Sequence, residues 1–332
     1  MKLGIAVIGT GEFGQNHVKV LSQMPQTNLL YVCDLNLQKA LSVAKTYSIP
    51  HVTKDVNEIW RDERVQAVVI ATSENSHYPL TMEALEHGKH VLLEKPIALD
   101  VTQAEEMVTF AKKKGLILLP GHMLRYDASY YTIKQKLQSG AFGDIYTIYT
   151  RRNVPRSRFA LHSRTHPVFM ALTHDIDIVI WYVQSEVTRV FAMEKRTSSK
   201  FKNPDIFWGL VEFKNGVIAI FETQWTLPDQ LGQYLDVRLE MMTSKGKVTM
   251  KYPGENLIYM MEGNLARPDV TLWPELFGIT TGALRNELEY FVDAIKNPEK
   301  PVIIRGEEAV QGIQLAQLLI ESAHLGQPVS LD

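Results

Sequence analysis

The chain has 332 residues, 45% of them hydrophobic, and 35 lysines and arginines against 37 aspartates and glutamates give a formal net charge of −2. That length exceeds what one core usually fills, so two domains are expected; the near-neutral balance excludes a nucleic-acid footprint and an acidic tail. The opening apolar run, Leu3 to Ile8, is too short for a secretory leader and no stretch reaches the ~20 residues of a membrane span, so a cytoplasmic protein with no membrane partner is expected.

The first predicted element is a strand over 3–8 that runs straight into Gly9-Thr10-Gly11-Glu12-Phe13-Gly14. A helix is predicted over 13–24 and a second strand over 29–34, ending on Asp34. A G-x-G-x-x-G between a strand and a helix, with an acid at the end of the next strand, is the pattern of a dinucleotide-binding βαβ unit. Gly9 permits the tight turn, Gly11 lets backbone N–H groups approach a pyrophosphate, and Gly14 allows close helix–strand packing. The phosphates then rest at the positive end of the helix beginning near Glu12. Asp34 would accept hydrogen bonds from ribose hydroxyls and repel a 2′-phosphate, and neither Leu35 nor Asn36 offers an arginine, so NAD is favoured over NADP. Capping the helix over 36–47 is the simpler role open to Asp34. The lone cysteine, Cys33, lies in this strand and has no partner for an internal disulfide, which suits a reducing compartment.

Strands at 66–71, 90–94 and 116–119 alternate with helices at 77–87 and 101–114. Near-continuous apolar strands separated by helices predict a parallel sheet covered on both faces. Asp100 with Gln103 reads as the cap of the last helix, and Gly115 as its stop. After a helix near 129–139 the texture changes. Long strands read at 145–152, 187–195, 206–213, 217–226, 234–243, 247–251 and 256–262, with hairpin signals at Lys214-Asn215-Gly216 and Ser244-Lys245-Gly246. Two amphipathic helices close the chain, one carrying Leu284, Leu288, Phe291 and Ile295, the other Ala309, Ile313, Ala316, Ile320 and Ala323. The expected architecture is α/β: a Rossmann domain over 1–122, and over 123–332 an α+β domain with a large open, mostly antiparallel sheet, a C-terminal helix packing back on the first domain.

Ligands of open parallel sheets bind outside the carboxyl ends of the strands. Three segments end there: Ala71-Thr72-Ser73-Glu74-Asn75-Ser76-His77, Glu94-Lys95-Pro96 and Pro120-Gly121-His122. A lysine at such an end can hold a substrate hydroxyl and stabilise developing alkoxide charge. Gly9–Gly14, Ala71-Thr72 with His77, Gly88-Lys89-His90-Val91, Glu94-Lys95-Pro96, Arg125-Tyr126, Gly140-x-x-Gly143 and His174-Asp175-Ile176-Asp177, taken in order, resemble the Gfo/Idh/MocA family of sugar and polyol oxidoreductases over essentially the whole chain. The resemblance implies an NAD(P)-dependent Rossmann domain, a second domain with an open sheet, and a homodimer or homotetramer assembled through that sheet. It makes Lys95 the catalytic lysine and His174 the catalytic histidine, gives Pro96 the shaping of the turn that presents Lys95, and sets Glu94 and His122 on the nicotinamide side. Gly9, Thr10, Gly11, Glu12, Phe13, Gly14, Asp34, Ala71, Thr72, His77, Glu94, Lys95 and His122 are thus the expected cofactor residues.

The residues themselves agree about His174. Phe169, Leu172, Ile176, Val179 and Ile180 make an apolar face, while His174 and Asp177 share another side. A histidine facing a ligand can take a hydroxyl proton near neutral pH, and Asp177 can orient it or bind a neighbouring hydroxyl. One departure from the family stands out: many members carry an aspartate four residues before the histidine, where this chain has Met170. Residues 151–166 hold Arg151, Arg152, Arg156, Arg158 and Arg164 with no acid, a cluster suited either to a carboxylate or phosphate on the substrate or to a subunit contact. Expected substrate contacts are therefore Lys95, Arg125, Arg156, Arg158, Arg164, His174 and Asp177. No His/Cys/carboxylate spacing typical of a closed metal site appears. The expected activity is NAD-dependent, reversible oxidation of a ring secondary alcohol on a sugar, sugar acid or cyclic polyol such as inositol. An NADP-preferring ketosugar reductase and a silent dinucleotide-binding regulator are the alternatives.

Overall fold

The apolar runs of the first third become a parallel sheet because every residue of its central strand is buried from both sides. In the computed structural model, which describes residues 2–229, 235–254, 257–261, 264–300 and 302–331, the elements follow in order. They are β1 (Leu3–Ile8), α1 (Glu12–Gln23), β2 (Thr27–Cys33), α2 (Leu37–Tyr47), β3 (His51–Thr53), α3 (Val56–Arg61), β4 (Ala67–Ile70), α4 (His77–Glu86), β5 (His90–Glu94), α5 (Val101–Lys114) and β6 (Leu118–Gly121). The strands pair in parallel in the order β3-β2-β1-β4-β5-β6. That order reverses direction between β1 and β4, the switch point where such sheets bind dinucleotides. The sequence pattern misses β3 and α3. A three-residue strand and a six-residue helix are each too short to establish a period. The ends of α5 are as read: Asp100 accepts a hydrogen bond from the Gln103 backbone N–H at 3.1 Å, and Gly115, at φ 66°, closes it in the left-handed region.

The chain divides into two units, Met1–Asp127 with Thr271–Val310, and Ala128–Val270 with Gln311–Asp332. The second unit contains α6 (Ala128–Gln138), β7 (Ile145–Asn153), α7 (Arg156–His162), a π-helical turn at Val168–Leu172, α8 (Thr173–Val183), β8 (Val187–Lys195), β9 (Ile206–Phe213), β10 (Ile218–Gln224), β11 (Asp236–Thr243) and β12 (Gly246–Tyr252). The strand expected over 256–262 is shorter: β13 (Tyr259–Met261) pairs with an unforeseen β14 (Asn264–Ala266), and residues 255, 256, 262 and 263 lie outside the described residues. Thr271–Val310 adds to the first unit a small hairpin, β15 (Glu275–Leu276) with β16 (Ile279–Thr280), and α9 (Ala283–Lys296). α10 (Gly306–Leu325) and β17 (Val329–Ser330) end the chain.

The second sheet runs β12-β11-β7-β10-β9-β8-β17, with β7 and β10 parallel and the other described pairs antiparallel. Both hairpin signals are turns of this sheet, joining β9 to β10 and β11 to β12. One face lies against α10. A Cβ added to Gly209 of β9 would come within 2.8 Å of Leu319 Cδ2, and the Ala192 N–H of β8 donates to Ser322 Oγ at 3.1 Å. The opposite face exposes Met193, Trp208, Leu210 and Ile218, with Met193 directly opposite Trp208 and Leu210 opposite Ile220. Among the described residues no helix is long and apolar enough to cross a membrane.

Candidate active site

The glycine loop follows the end of β1 and is shaped by close backbone approaches. At Gly9, φ is +94° and an added Cβ would lie 2.5 Å from the Ala71 carbonyl oxygen. At Gly14 it would lie 2.0 Å from that of Gly9. Gly11 is different: a Cβ there would meet nothing within 4 Å. It is also the N-cap of α1 and, being a glycine, offers no capping side chain there. The positive end of a helix behind open space, which a larger side chain would enter, forms a cradle that fits a pyrophosphate.

Asp34 stands at the end of β2 and is tied to this loop. Its Oδ2 accepts from the Thr10 backbone N–H at 2.7 Å and from Thr10 Oγ1 at 2.8 Å, while Oδ1 accepts from the Asn36 N–H at 2.8 Å. Partial burial works to raise the Asp34 carboxyl, but these hydrogen bonds and nearby Lys39 outweigh it and hold the group below the usual carboxylate range. Thr10 is fully buried and orients the acid. Capping of α2 falls to Asn36, which accepts from the Lys39 N–H, rather than to Asp34. Leu35, beside the acid, is 92% exposed and offers an apolar surface for a base. The residues present therefore fit the adenosine and pyrophosphate of NAD.

The other strand ends of this unit converge on Glu94-Lys95-Pro96. His77 opens α4 and is buried, with Nδ1 2.8 Å from the Pro96 carbonyl and Nε2 3.2 Å from the Thr72 carbonyl. Burial pushes its imidazole below the usual range; the neutral ring carries one N–H, which can donate to either of these carbonyls but not to both at once, and His77 so ties one turn to the other. Glu94 is buried at the end of β5. Its Oε1 is 2.7 Å from Nε2 of His17 in α1, and its Oε2 accepts from the Lys95 N–H at 3.2 Å. Lys95 is half-buried, and His122 is buried just past β6. Arg125 was expected to touch substrate. Instead it is fully buried, Nη1 donating to the Ile303 carbonyl at 3.0 Å and to Glu308 Oε2 at 2.7 Å. A guanidinium enclosed in that ion pair belongs to packing.

In the second unit, the π turn at Val168–Leu172 feeds α8, on which His174 is half-buried and Asp177 buried. The turn holds Met170, so its offset from His174 is not that of a regular α-helix. Met170 packs against an apolar cluster of Val154, Phe159, Ala171 and Trp225. Several of the clustered arginines are engaged within the fold. Arg152 Nε donates to Asp175 Oδ2 at 2.7 Å, both residues buried, and Arg151 Nη2 donates to Asp236 Oδ1 at 3.0 Å. Arg156, Arg158 and Arg164 lie on or just after α7, Arg156 and Arg164 exposed and Arg158 half-buried, and Arg164 Nη1 donates to the Leu161 carbonyl at 3.1 Å.

Residues 3–122 match the family described as "Oxidoreductase family, NAD-binding Rossmann fold", and residues 130–249 match the GFO/IDH/MocA C-terminal domain. Inositol 2-dehydrogenase 1 of Saccharopolyspora erythraea is 30% identical over 267 residues, covering 78% of this chain and 77% of that one. The chain belongs to the GFO/IDH/MocA oxidoreductase family. Among other GFO/IDH/MocA-like relatives, scyllo-inositol 2-dehydrogenase (NAD(+)) of Bacillus subtilis is 26% identical over 335 residues, 98% of this chain and 96% of that one. The solved Lactobacillus casei scyllo-inositol dehydrogenase, with bound NAD(H) and scyllo-inositol, superposes with a TM-score of 0.84 at 23% identity over 99% of both chains. That likeness establishes the fold. As a GFO/IDH/MocA oxidoreductase, this chain uses NAD.

Sequence reading of this family member missed His17 and the Arg152–Asp175 pair. His17 had a signal: it falls four residues after Phe13 and four before Leu21, a polar residue on the buried face of α1. Arg152 had none, because its partner Asp175 is 23 residues away in sequence.

Proposed function

We propose that this oxidoreductase is an NAD-dependent dehydrogenase of a cyclic polyol or related sugar, converting a ring secondary alcohol to the ketone reversibly. The observation that carries the reading is Lys95 at the carboxyl end of β5, next to the buried Glu94, in a chain whose relatives include inositol 2-dehydrogenases. Bound NAD would supply the acceptor of the substrate's carbinol hydrogen. The Lys95 ammonium would hold the substrate oxygen at Nζ and stabilise the negative charge that develops there. An imidazole nitrogen of His174 would accept the hydroxyl proton, with Asp177 beside it on α8. Arg156, Arg158 and Arg164 supply positive charge suited to a sugar acid. A cytosolic location belongs to the same reading, supported by the lone thiol Cys33, buried and pushed up to about 12 by that burial.

Reduction of NAD⁺ and NADP⁺ measured across cyclic polyols, aldoses and uronates tests the activity. Turnover with NAD⁺ on at least one ring polyol or sugar is expected; silence across the set would leave the regulator reading in its place. If His174 is the base, His174→Ala should lower the oxidation rate ~10²–10⁴-fold. A variant oxidising at the parent rate would reassign the proton to another group.

Cofactor choice is tested separately. Asp34, held ionised by Thr10 and Asn36, should repel the 2′-phosphate of NADP(H). Calorimetry on the parent should show tighter binding of NAD(H), and Asp34→Ala should narrow the gap. A parent that prefers NADP(H) would reverse the assignment and support the ketosugar reductase.

We also propose that the open face of the second sheet is the homo-oligomer contact. The exposed stripe across β8, β9 and β10 supports it, since contiguous apolar surface on a sheet usually marks an interaction site.

A further inference from the structure

His17 is fully buried, on the same face of α1 as Val18 and Leu21. Burying an imidazole in such surroundings is costly unless its nitrogens are paired. Nε2 is paired, 2.7 Å from Glu94 Oε1. Nδ1 is buried and has no hydrogen-bond partner among the described residues, and the Phe13 ring stands edge-on to the imidazole with centroids 5.3 Å apart. A proton on Nδ1 would be enclosed without an acceptor, which disfavours both the imidazolium and the Nδ1 tautomer. The geometry favours a neutral ring donating from Nε2. The pair then carries the single negative charge of the Glu94 carboxylate.

That charge is fixed in place. Oε2 accepts from the Lys95 N–H, and β6 passes so close behind that a Cβ on Gly121 would lie 3.1 Å from Glu94 Cα. Glu94 ends β5, on the opposite side of the switch point from Asp34 at the end of β2. With the ribose at Asp34 and the pyrophosphate over Gly11, the remaining half of a dinucleotide extends toward the ends of β4 and β5. The nicotinamide ring bears a unit positive charge when oxidised and none when reduced. A buried carboxylate senses that difference through a medium of low effective dielectric, whereas neutral donors and apolar walls do not. Lys95 has the opposite sign, but a substitution at Glu94 leaves it in place, so the comparison isolates the carboxylate.

We propose that the buried Glu94–His17 pair sets the cofactor's redox preference, tightening the oxidised form relative to the reduced one. This rests on the reading of the first unit as the NAD site. The test needs no substrate: dissociation constants of NAD⁺ and NADH are measured separately by calorimetry on the parent and its variants. Glu94→Gln keeps the shape and removes the charge. It should raise the ratio Kd(NAD⁺)/Kd(NADH) about tenfold, a 1.4 kcal/mol change, while NADH binding changes little. His17→Gln, a neutral residue that retains an N–H donor, should leave the ratio near the parent's. An unchanged ratio in Glu94→Gln, or equal weakening of both forms, would reduce the pair to a structural contact and overturn the proposal. A ratio shift in His17→Gln as large as that in Glu94→Gln would overturn the neutral assignment of His17. If Glu94→Gln does not fold, Glu94→Asp carries the test: the charge, withdrawn by one methylene, should give an intermediate ratio, and no change would count against the proposal. A parent that binds neither form would overturn the reading of the first unit itself, a result distinct from all of these.

Discussion

Lys95→Ala is expected to lower turnover ~10²–10⁴-fold while leaving the affinity for NAD nearly intact. The asymmetry follows from where the lysine stands. The pyrophosphate cradle is built at Gly11 and the N-terminus of α1, and the ribose acceptor is Asp34, so the groups assigned to the pyrophosphate and ribose lie at the ends of β1 and β2. Lys95 follows the end of β5 and meets its full electrostatic task only when negative charge develops on substrate oxygen. An interaction made mainly in the transition state is lost from kcat rather than from cofactor Kd. Single-turnover kinetics alongside calorimetry separate the two quantities. A Lys95→Ala enzyme turning over near the parent rate would remove the role assigned here. Loss of NAD binding in step with turnover would make the lysine part of the cofactor's grip instead.

Arg152→Met is expected to destabilise the second unit by about 3–5 kcal/mol, the usual cost of leaving one partner of a buried ion pair alone. Arg152 on β7 and Asp175 on α8 are both buried and joined through Nε at 2.7 Å. Burial pushes the Asp175 carboxyl up, and the guanidinium opposes it. With Arg152 gone, that opposition is lost and the carboxyl rises further. A carboxyl raised in the folded state contributes stability below its unfolded value and loses it as pH rises through the folded one. The deficit of Arg152→Met against the parent should therefore grow toward alkaline pH and shrink toward acid. Denaturant titrations at several pH values measure this, and a deficit independent of pH would show that Asp175 does not titrate in the folded variant. The double replacement Arg152→Met with Asp175→Leu should recover most of the loss, because it leaves no uncompensated charge. Asp175 directly follows His174, so the same anchor fixes the stretch of α8 on which the proposed base sits.

Much of the fold is legible in the chain itself. β1 is uniformly apolar and ends on a glycine loop, and the capping pair Asp100 with Gln103 and the stop at Gly115 are local patterns. Such patterns report interactions made within a few residues, and those survive in the linear chain. β3, α3 and β14 were not legible, because elements this short are held by their neighbours rather than by their own periodicity.

The candidate site divides along the same line. By itself the sequence determined the parallel sheet, the phosphate-binding glycines and the acid at the end of β2, since each is specified by residue type at a set distance from its neighbour. It also marked Lys95 and His174 for attention. Only the tertiary structure decided which polar groups are consumed by the fold. Arg125 closes on Glu308, Arg152 on Asp175, His77 on the Thr72 and Pro96 carbonyls, and Glu94 on His17. These partners are 183, 23, 5, 19 and 77 residues apart, taken in that order. A buried charge or imidazole must find its counterpart wherever the fold brings one, and no period in the chain records where that is.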